Sequence, residues 1–196
     1  MTLEDLNLLW QIELHCERCI RACSYFFAVS GSKASNLWSF TQNCYAEAAI
    51  IHWCKIFGSY SSEPTHFKLF FENKSIHVND GTAIDLNTVR QRLRNSCGLC
   101  ENQYKAFWKN VKDGRDTFFV HNEFSKERRP SFPDLNLLQK TCLEMRDIIY
   151  SVLCSDDCIE DPEFHKNFLD LAQWNRNSKY LQEIEKDCMS LNQTIN

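Results

Sequence analysis

Residues 101–121 read ENQYKAFWKNVKDGRDTFFVH, and the spacing within them decides the fold. Tyr104, Phe107, Val111, Arg115 and Phe118 recur at intervals of three and four, the period of one helix face. The stretch predicts a helix from Glu101 to about Val120. Arg115 occupies a place on the inward stripe that packing would give to an apolar residue. A half-buried charge is costly unless paired, so Arg115 calls for a carboxylate, a phosphate or a second subunit. Glu47, bordering the stripe of the second long helix, is a candidate carboxylate. Asp116 follows directly but points about 100° away around the helix. Gly114 weakens the helix relative to alanine and lets another backbone or a substrate come close. His121 lies about 240° ahead of Arg115 on a regular helix. The two converge only if the helix ends or distorts before His121, or if they act from opposite subunits.

Working outward, the same period predicts helices over 3–28 and 34–57, separated by Ser30-Gly31-Ser32. Gly58 and the polar run to Pro64 close the second. A short helix over 64–73 starts at that proline. Residues 75–81 form a loop with Asn79-Asp80-Gly81 as a turn signal, and 85–96 is helical again. A basic loop covers 121–132, and Ser131 or Asp134 caps a helix reaching Cys154. Asp161-Pro162 opens a last helix to about Cys188. No strand pattern competes, and there is no internal repeat. The fold class is all-α: an antiparallel helical bundle elaborated by short helices at 64–96. It is read as one domain over 1–196, with a core of about 5–155 and the C-terminal helix at about 161–188.

Composition supports that class. Five Gly and four Pro in 196 residues are too few for a fold rich in tight β turns. With 43% hydrophobic and 24% charged residues, the chain is globular rather than disordered. No apolar run reaches the length of a membrane span. The first residues carry acids where a secretion signal needs a basic region, so no membrane partner and a cytoplasmic location are expected.

The eleven cysteines invite a metal or disulfide reading. Cys16, Cys19 and Cys23 cluster, Cys97 and Cys100 form CGLC, and Cys154 and Cys158 lie four apart. Periodicity favours another role. Cys16 and Cys23 share a stripe with Leu6, Leu9, Ile20 and Phe27. Cys44 shares one with Leu37, Phe40, Ala48 and Ile51, and Cys142 one with Leu135, Leu138, Met145, Ile149 and Val152. In each, cysteine fills a slot for a small apolar side chain. An odd count without a secretion signal speaks against a disulfide framework. No metal or other cofactor is expected. Gly98 sets the CGLC pair in a turn, where zinc shared with Cys16 and Cys19, or redox activity, is the competing reading.

The net charge of −4 conceals an asymmetry. Between Arg90 and Arg129 ten Lys and Arg meet five Asp and Glu, so that stretch carries +5 and the remainder −9. A basic segment in an acidic chain guides a polyanion to one place; two solvated helix faces and a charged loop are the plainer reading. Arginine suits phosphate geometry, and histidine is the side chain that titrates near neutrality. Arg115 and His121 are therefore a minimal kit for cutting RNA without a metal. They also fit an interface arginine and a histidine favoured by the helix C-terminal dipole. His15, His52, His66, His77 and His165 show no companion pattern and are read as surface or satisfied core residues.

Arg115-Asp116-Thr117-Phe118-Phe119-Val120-His121 is an arginine and a histidine separated by five residues, with an acid directly after the arginine. The motif follows a helical hairpin whose second arm contains WSFTQNCYAEAAIIHWCKIFG. This combination resembles the HEPN superfamily, small all-α domains named for nucleotide binding in higher eukaryotes and prokaryotes. It is similar to the abortive-infection group found in bacterial defence, over about residues 5–155. The resemblance implies a HEPN-like bundle and a metal-independent endoribonuclease working as a homodimer, a toxin or phage-defence effector. His121 would serve in acid–base catalysis at the ribose 2′-hydroxyl, Arg115 would hold the scissile phosphate, and Asp116 would orient either. Lys109, Lys112, Lys126, Arg128 and Arg129 would attract the RNA backbone. An antitoxin or a nucleotide-modifying partner protein is also implied. The alternative is a non-catalytic HEPN-like dimer that binds nucleotide or protein.

Overall fold

Three of the long helices start on side-chain caps that satisfy their first free N–H groups. The computed structural model describes residues 1–30, 36–78, 80–116, 133–155 and 186, with backbone alone at 36–38. Helix α1 (Leu3–Val29) opens with Thr2 and Asp5, each side chain accepting from the other's backbone N–H. Asp85 caps α4 (Leu86–Ser96) by accepting from Thr88 N at 2.7 Å. Asp134 caps α6 (Leu135–Leu153) through Asn136 N at 2.9 Å. Between them lie α2 (Asn36–Phe57), α3 (Lys68–Phe71) and α5 (Glu101–Gly114). The fold is all-α apart from a hairpin of β1 (Ile76–His77) and β2 (Ala83–Ile84), in which Ile76 faces Ile84.

Side-chain pairs fix the helix directions. Ser30 meets Gln42, the Tyr25 and Tyr45 rings meet at a tilt, and His15 meets His52. Numbers fall along α1 as they rise along α2, so the pair is antiparallel. Helix α6 runs antiparallel to α1, through Ser24–Gln139 and Glu13–Arg146. Helix α4 runs antiparallel to α6, through Arg92–Glu144 and Cys97–Leu137. Helix α5 packs on α2, where Phe107 lies edge-on to Trp53 with centroids 5.5 Å apart. One buried cluster draws on all six of these helices.

The stripes expected on α1 and α6 are buried, except that Phe27 is exposed. The stripe expected on α2 is wrong in phase. Phe40 is 67% exposed and Cys44 is exposed, while Ala46, Ala49, Ile50, Trp53, Cys54, Ile56 and Phe57 are buried. The second half of α2 is apolar nearly all round, so its period does not select a face. A tertiary contact does: the Trp53 indole N–H donates to Thr141 Oγ1 at 2.8 Å in the core. The expected absence of strands also needs correction. The turn at Asp80-Gly81 closes a hairpin, with Gly81 at φ 80 and Val78 N bonded to Thr82 O. Two-residue strands are too short to show a period. The helix expected over 64–73 is regular only at Lys68–Phe71. The loop expected at 121–132 and, apart from Lys186, the helix expected at 161–188 lie outside the described residues.

The clustered cysteines pack as expected of small apolar residues. Cys16, Cys19, Cys23 and Cys142 are buried, and burial raises the Cys16 and Cys142 thiols above their ordinary range. Two acids share this interior. Glu13 is 4% exposed and accepts from Arg146 Nε with both oxygens, at 2.9 and 3.1 Å. Glu17, also buried, pairs with Arg21. Removing one partner of such a pair leaves an uncompensated buried charge, at a cost of about 3–5 kcal/mol. Arg146→Ala is therefore expected to lower unfolding free energy by about that amount in urea titration. Glu13→Leu with Arg146→Met recovers most of the loss.

Candidate functional site

Helix α5 ends where the sequence places its unusual charge. Arg115 is the C-cap residue, and the backbone widens into a π turn at 115–116. The regular α-helix therefore ends at Gly114. Arg115 is half-buried, with its side chain 17% exposed. Its Nη1 donates to Glu63 Oε1 at 3.1 Å and its Nε to Asp116 Oδ1 at 2.8 Å. Burial works against the guanidinium charge. The hydrogen bond to Asp116 and the nearby carboxylates outweigh it and raise the pKa, so Arg115 stays charged.

The partner is thus Glu63, not the candidate Glu47. The chain turns back after α2, with Glu63 N bonded to Ser59 O and Thr65 Oγ1 donating to Lys55 O. That turn carries the Glu63 carboxylate under the end of α5. Its second oxygen accepts from Lys55 Nζ at 2.9 Å. Asp116 also reaches Arg115, contrary to the 100° separation of a regular helix, because the two residues stand where the helix has widened. His121, Phe118, Phe119, Val120, Lys126, Arg128 and Arg129 lie outside the described residues.

Next to this network, His15 and His52 face each other with Nδ1 atoms 3.0 Å apart. Sequence reading treated both as solitary. They are 37 residues apart, and only the antiparallel packing of α1 on α2 joins them. One Nδ1 must donate and the other accept, so the pair cannot hold a proton on both. Desolvation lowers both pKa values, and Arg18 and Lys55 add repulsion. Glu63 opposes the shift at His15, while His15 itself helps bring His52 down to about 4.

Gly58 connects this charged network to a cleft. A methyl added there would lie 2.3 Å from Cys54 O and 3.3 Å from Arg115 Nη1, so the backbone passes close over the guanidinium. Gly58 is also part of the wall of a cleft of about 1020 Å³ between α4, α5 and residues 57–68. On α5, Tyr104, Lys105, Trp108 and Lys112 line it at helical spacing, and α4 contributes Arg90 and Arg94. The Trp108 indole N–H donates to the Phe57 carbonyl. Lys112 Nζ sits 5.4 Å from the Trp108 ring, and Lys68 Nζ 5.5 Å from that of Tyr60. Of the expected RNA-binding lysines, Lys112 lines the cleft and Lys109 is exposed outside it. The period-four spacings of Tyr104 with Trp108 and of Arg90 with Arg94 were visible in sequence; their mutual facing was not.

The CGLC thiols part company. Gly98 takes φ 66, Cys97 is buried against α6 and Cys100 is exposed at the start of α5. Among the described residues, no group of three or more His, Cys, Asp or Glu is placed to hold a metal ion. Comparison with protein-family models, curated proteins and solved structures finds no match to this chain.

A depressed histidine pKa has a definite sign in stability. The unfolded chain binds the proton more readily, so stability is full above the ordinary pKa of 6.5 and falls as pH drops towards about 4. Melting temperatures measured from about pH 7 down to about 4.5 should decline. The decline should be shallower for His52→Asn; an identical slope would remove the pair from this account.

Proposed function

We propose that this chain is a metal-independent endoribonuclease of the HEPN type, acting as a homodimer in the cytoplasm. The observation that carries the reading is the state of Arg115. It is a charged guanidinium at the end of α5, held at two corners by Glu63 and Asp116. A fixed, permanently charged fork can bind a phosphodiester and stabilise charge that grows on it in the transition state. The π turn at 115–116 supports the pairing with His121, because it breaks the regular geometry that would keep the two apart.

The chemistry needs few parts. His121 takes the proton from the ribose 2′-hydroxyl. The 2′-oxygen attacks the adjacent phosphorus and the bond to the 5′-oxygen breaks. A proton returned to that oxygen gives a 5′-hydroxyl, and the other product ends in a 2′,3′-cyclic phosphate. Asp116 holds the plane of Arg115. In the dimer two such motifs face one cleft, and Lys109, Lys126, Arg128 and Arg129 extend the electrostatic attraction. Such an activity fits a toxin or phage-defence effector restrained by an antitoxin or by a nucleotide-modifying partner. No described helix is long and apolar enough to cross a membrane.

One observation favours a second reading, a non-catalytic dimer that binds nucleotide or protein. Two carboxylates already satisfy Arg115, as a structural arginine requires. Incubation with mixed RNA in EDTA separates the readings. The nuclease reading predicts cleavage, reduced about 100-fold or more by His121→Ala or Arg115→Lys. Intact RNA leaves the binding module; undiminished cutting by His121→Ala overturns the role given to His121.

A further inference from the structure

We propose that the cleft between α4, α5 and residues 57–68 is a subsite for an unpaired stretch of RNA. Trp108 is its stacking platform, and Lys68, Arg90 and Lys112 are its phosphate partners. The choice of RNA rests on the nuclease reading above; the site itself rests on the geometry.

Size comes first. The cleft of about 1020 Å³ reaches the upper end of small-ligand pockets, roughly 300–1,000 Å³, which suits more than one nucleotide. Charge comes second. Five cations line it against one acid, Glu101. That carboxylate is already shared by Arg94 at 3.3 Å and Lys105 at 2.6 Å. Lys68, Arg90 and Lys112 make no ion pair among the described residues. A chain of net charge −4 thus presents unneutralised cations around this cleft, as a polyanion needs.

The aromatic side chains decide what kind of polyanion. Trp108 is half-buried, and its only polar atom is occupied by the Phe57 carbonyl. That bond fixes the ring plane. Lys112 over the Trp108 ring and Lys68 over that of Tyr60 bring cations beside π faces. Bases can stack on such faces while their phosphates meet the cations. His66 adds no charge. Its Nδ1 accepts from Lys68 N, and burial with repulsion from Lys68 and Arg90 keeps it neutral, with a pKa lowered to about 4. A paired helix hides its base faces, so an unpaired strand is the form this surface fits. Lys112 stands about one helical turn before Arg115, and Gly58 in the cleft wall lies beside that guanidinium.

The test measures binding without cleavage. A fluorescein-labelled 12-nucleotide RNA, 2′-O-methylated throughout, is titrated with the full chain in EDTA and read by anisotropy. Arg90→Gln with Lys112→Gln should weaken binding about 10-fold and flatten its salt dependence by about 1.4 in log–log slope, near 0.7 per lost phosphate contact. Trp108→Leu should weaken it about 5-fold or more, with Trp108→Phe restoring most of the loss. A hairpin duplex of the same backbone should bind at least 10-fold more weakly. Unchanged affinity in the charge variant, or equal affinity for the hairpin, overturns the proposal. If Trp108→Leu does not fold, the charge variant and the hairpin still decide. Charge-dependent single-strand binding without cleavage of ordinary RNA keeps the subsite and removes the nuclease reading. Cleavage with binding indifferent to Arg90 and Lys112 does the reverse.

Discussion

The carboxylate of Glu63 holds together the part of the molecule where chemistry is expected. One oxygen accepts from Lys55 at the end of α2 and the other from Arg115 at the end of α5. Glu63 is 8% exposed, and a charge so placed is tolerable only with such partners. The requirement is mutual, since without Glu63 the half-buried Arg115 would keep only Asp116, which is the more exposed of its two carboxylates. It joins two helix ends and the turn after α2 into one unit. Gly58 lies within that unit and lets the backbone pass close to the guanidinium. The Glu13–Arg146 pair does similar work between α1 and α6.

The same constraint divides the cations by role. Arg146 is held by the buried Glu13, and Arg115 is fixed in place by Glu63 and Asp116. Lys68, Arg90 and Lys112 line the cleft without such partners among the described residues. A strand attracted by those cations would be delivered towards a guanidinium that does not need to be ordered again on binding. Prior ordering of that kind favours transition-state stabilisation over simple attraction. The His15–His52 pair is kept neutral by burial, with repulsion from Arg18 and Lys55 added. It therefore adds no competing charge near neutral pH.

Much of the fold was legible because α1, α5 and α6 carry apolar residues at intervals of three and four on one side. Helix α2 was legible as a helix but not in its rotation, because AAIIHWCKIF offers apolar residues in every direction. Its orientation depends on Trp53 finding Thr141, a contact 88 residues away in sequence. The anomaly at Arg115 was visible as a charge on an inward stripe, and so was its need for a partner. The identity of that partner was not, since Glu63 sits in a turn whose path is set by packing. The cleft escaped for a related reason. Its basic and aromatic residues were each apparent, but Gly98 in the left-handed region turns α5 so that they line the same space.

The central claim is that Arg115, held by Glu63 and Asp116, acts with His121 on RNA without a metal. Mass spectrometry of RNA ends, after incubation with the full chain in EDTA, tests it most directly. The account predicts fragments ending in 2′,3′-cyclic phosphate with complementary 5′-hydroxyl ends, and their absence with Arg115→Lys. Fragments bearing 3′-hydroxyl and 5′-phosphate ends, or no fragments, would contradict it.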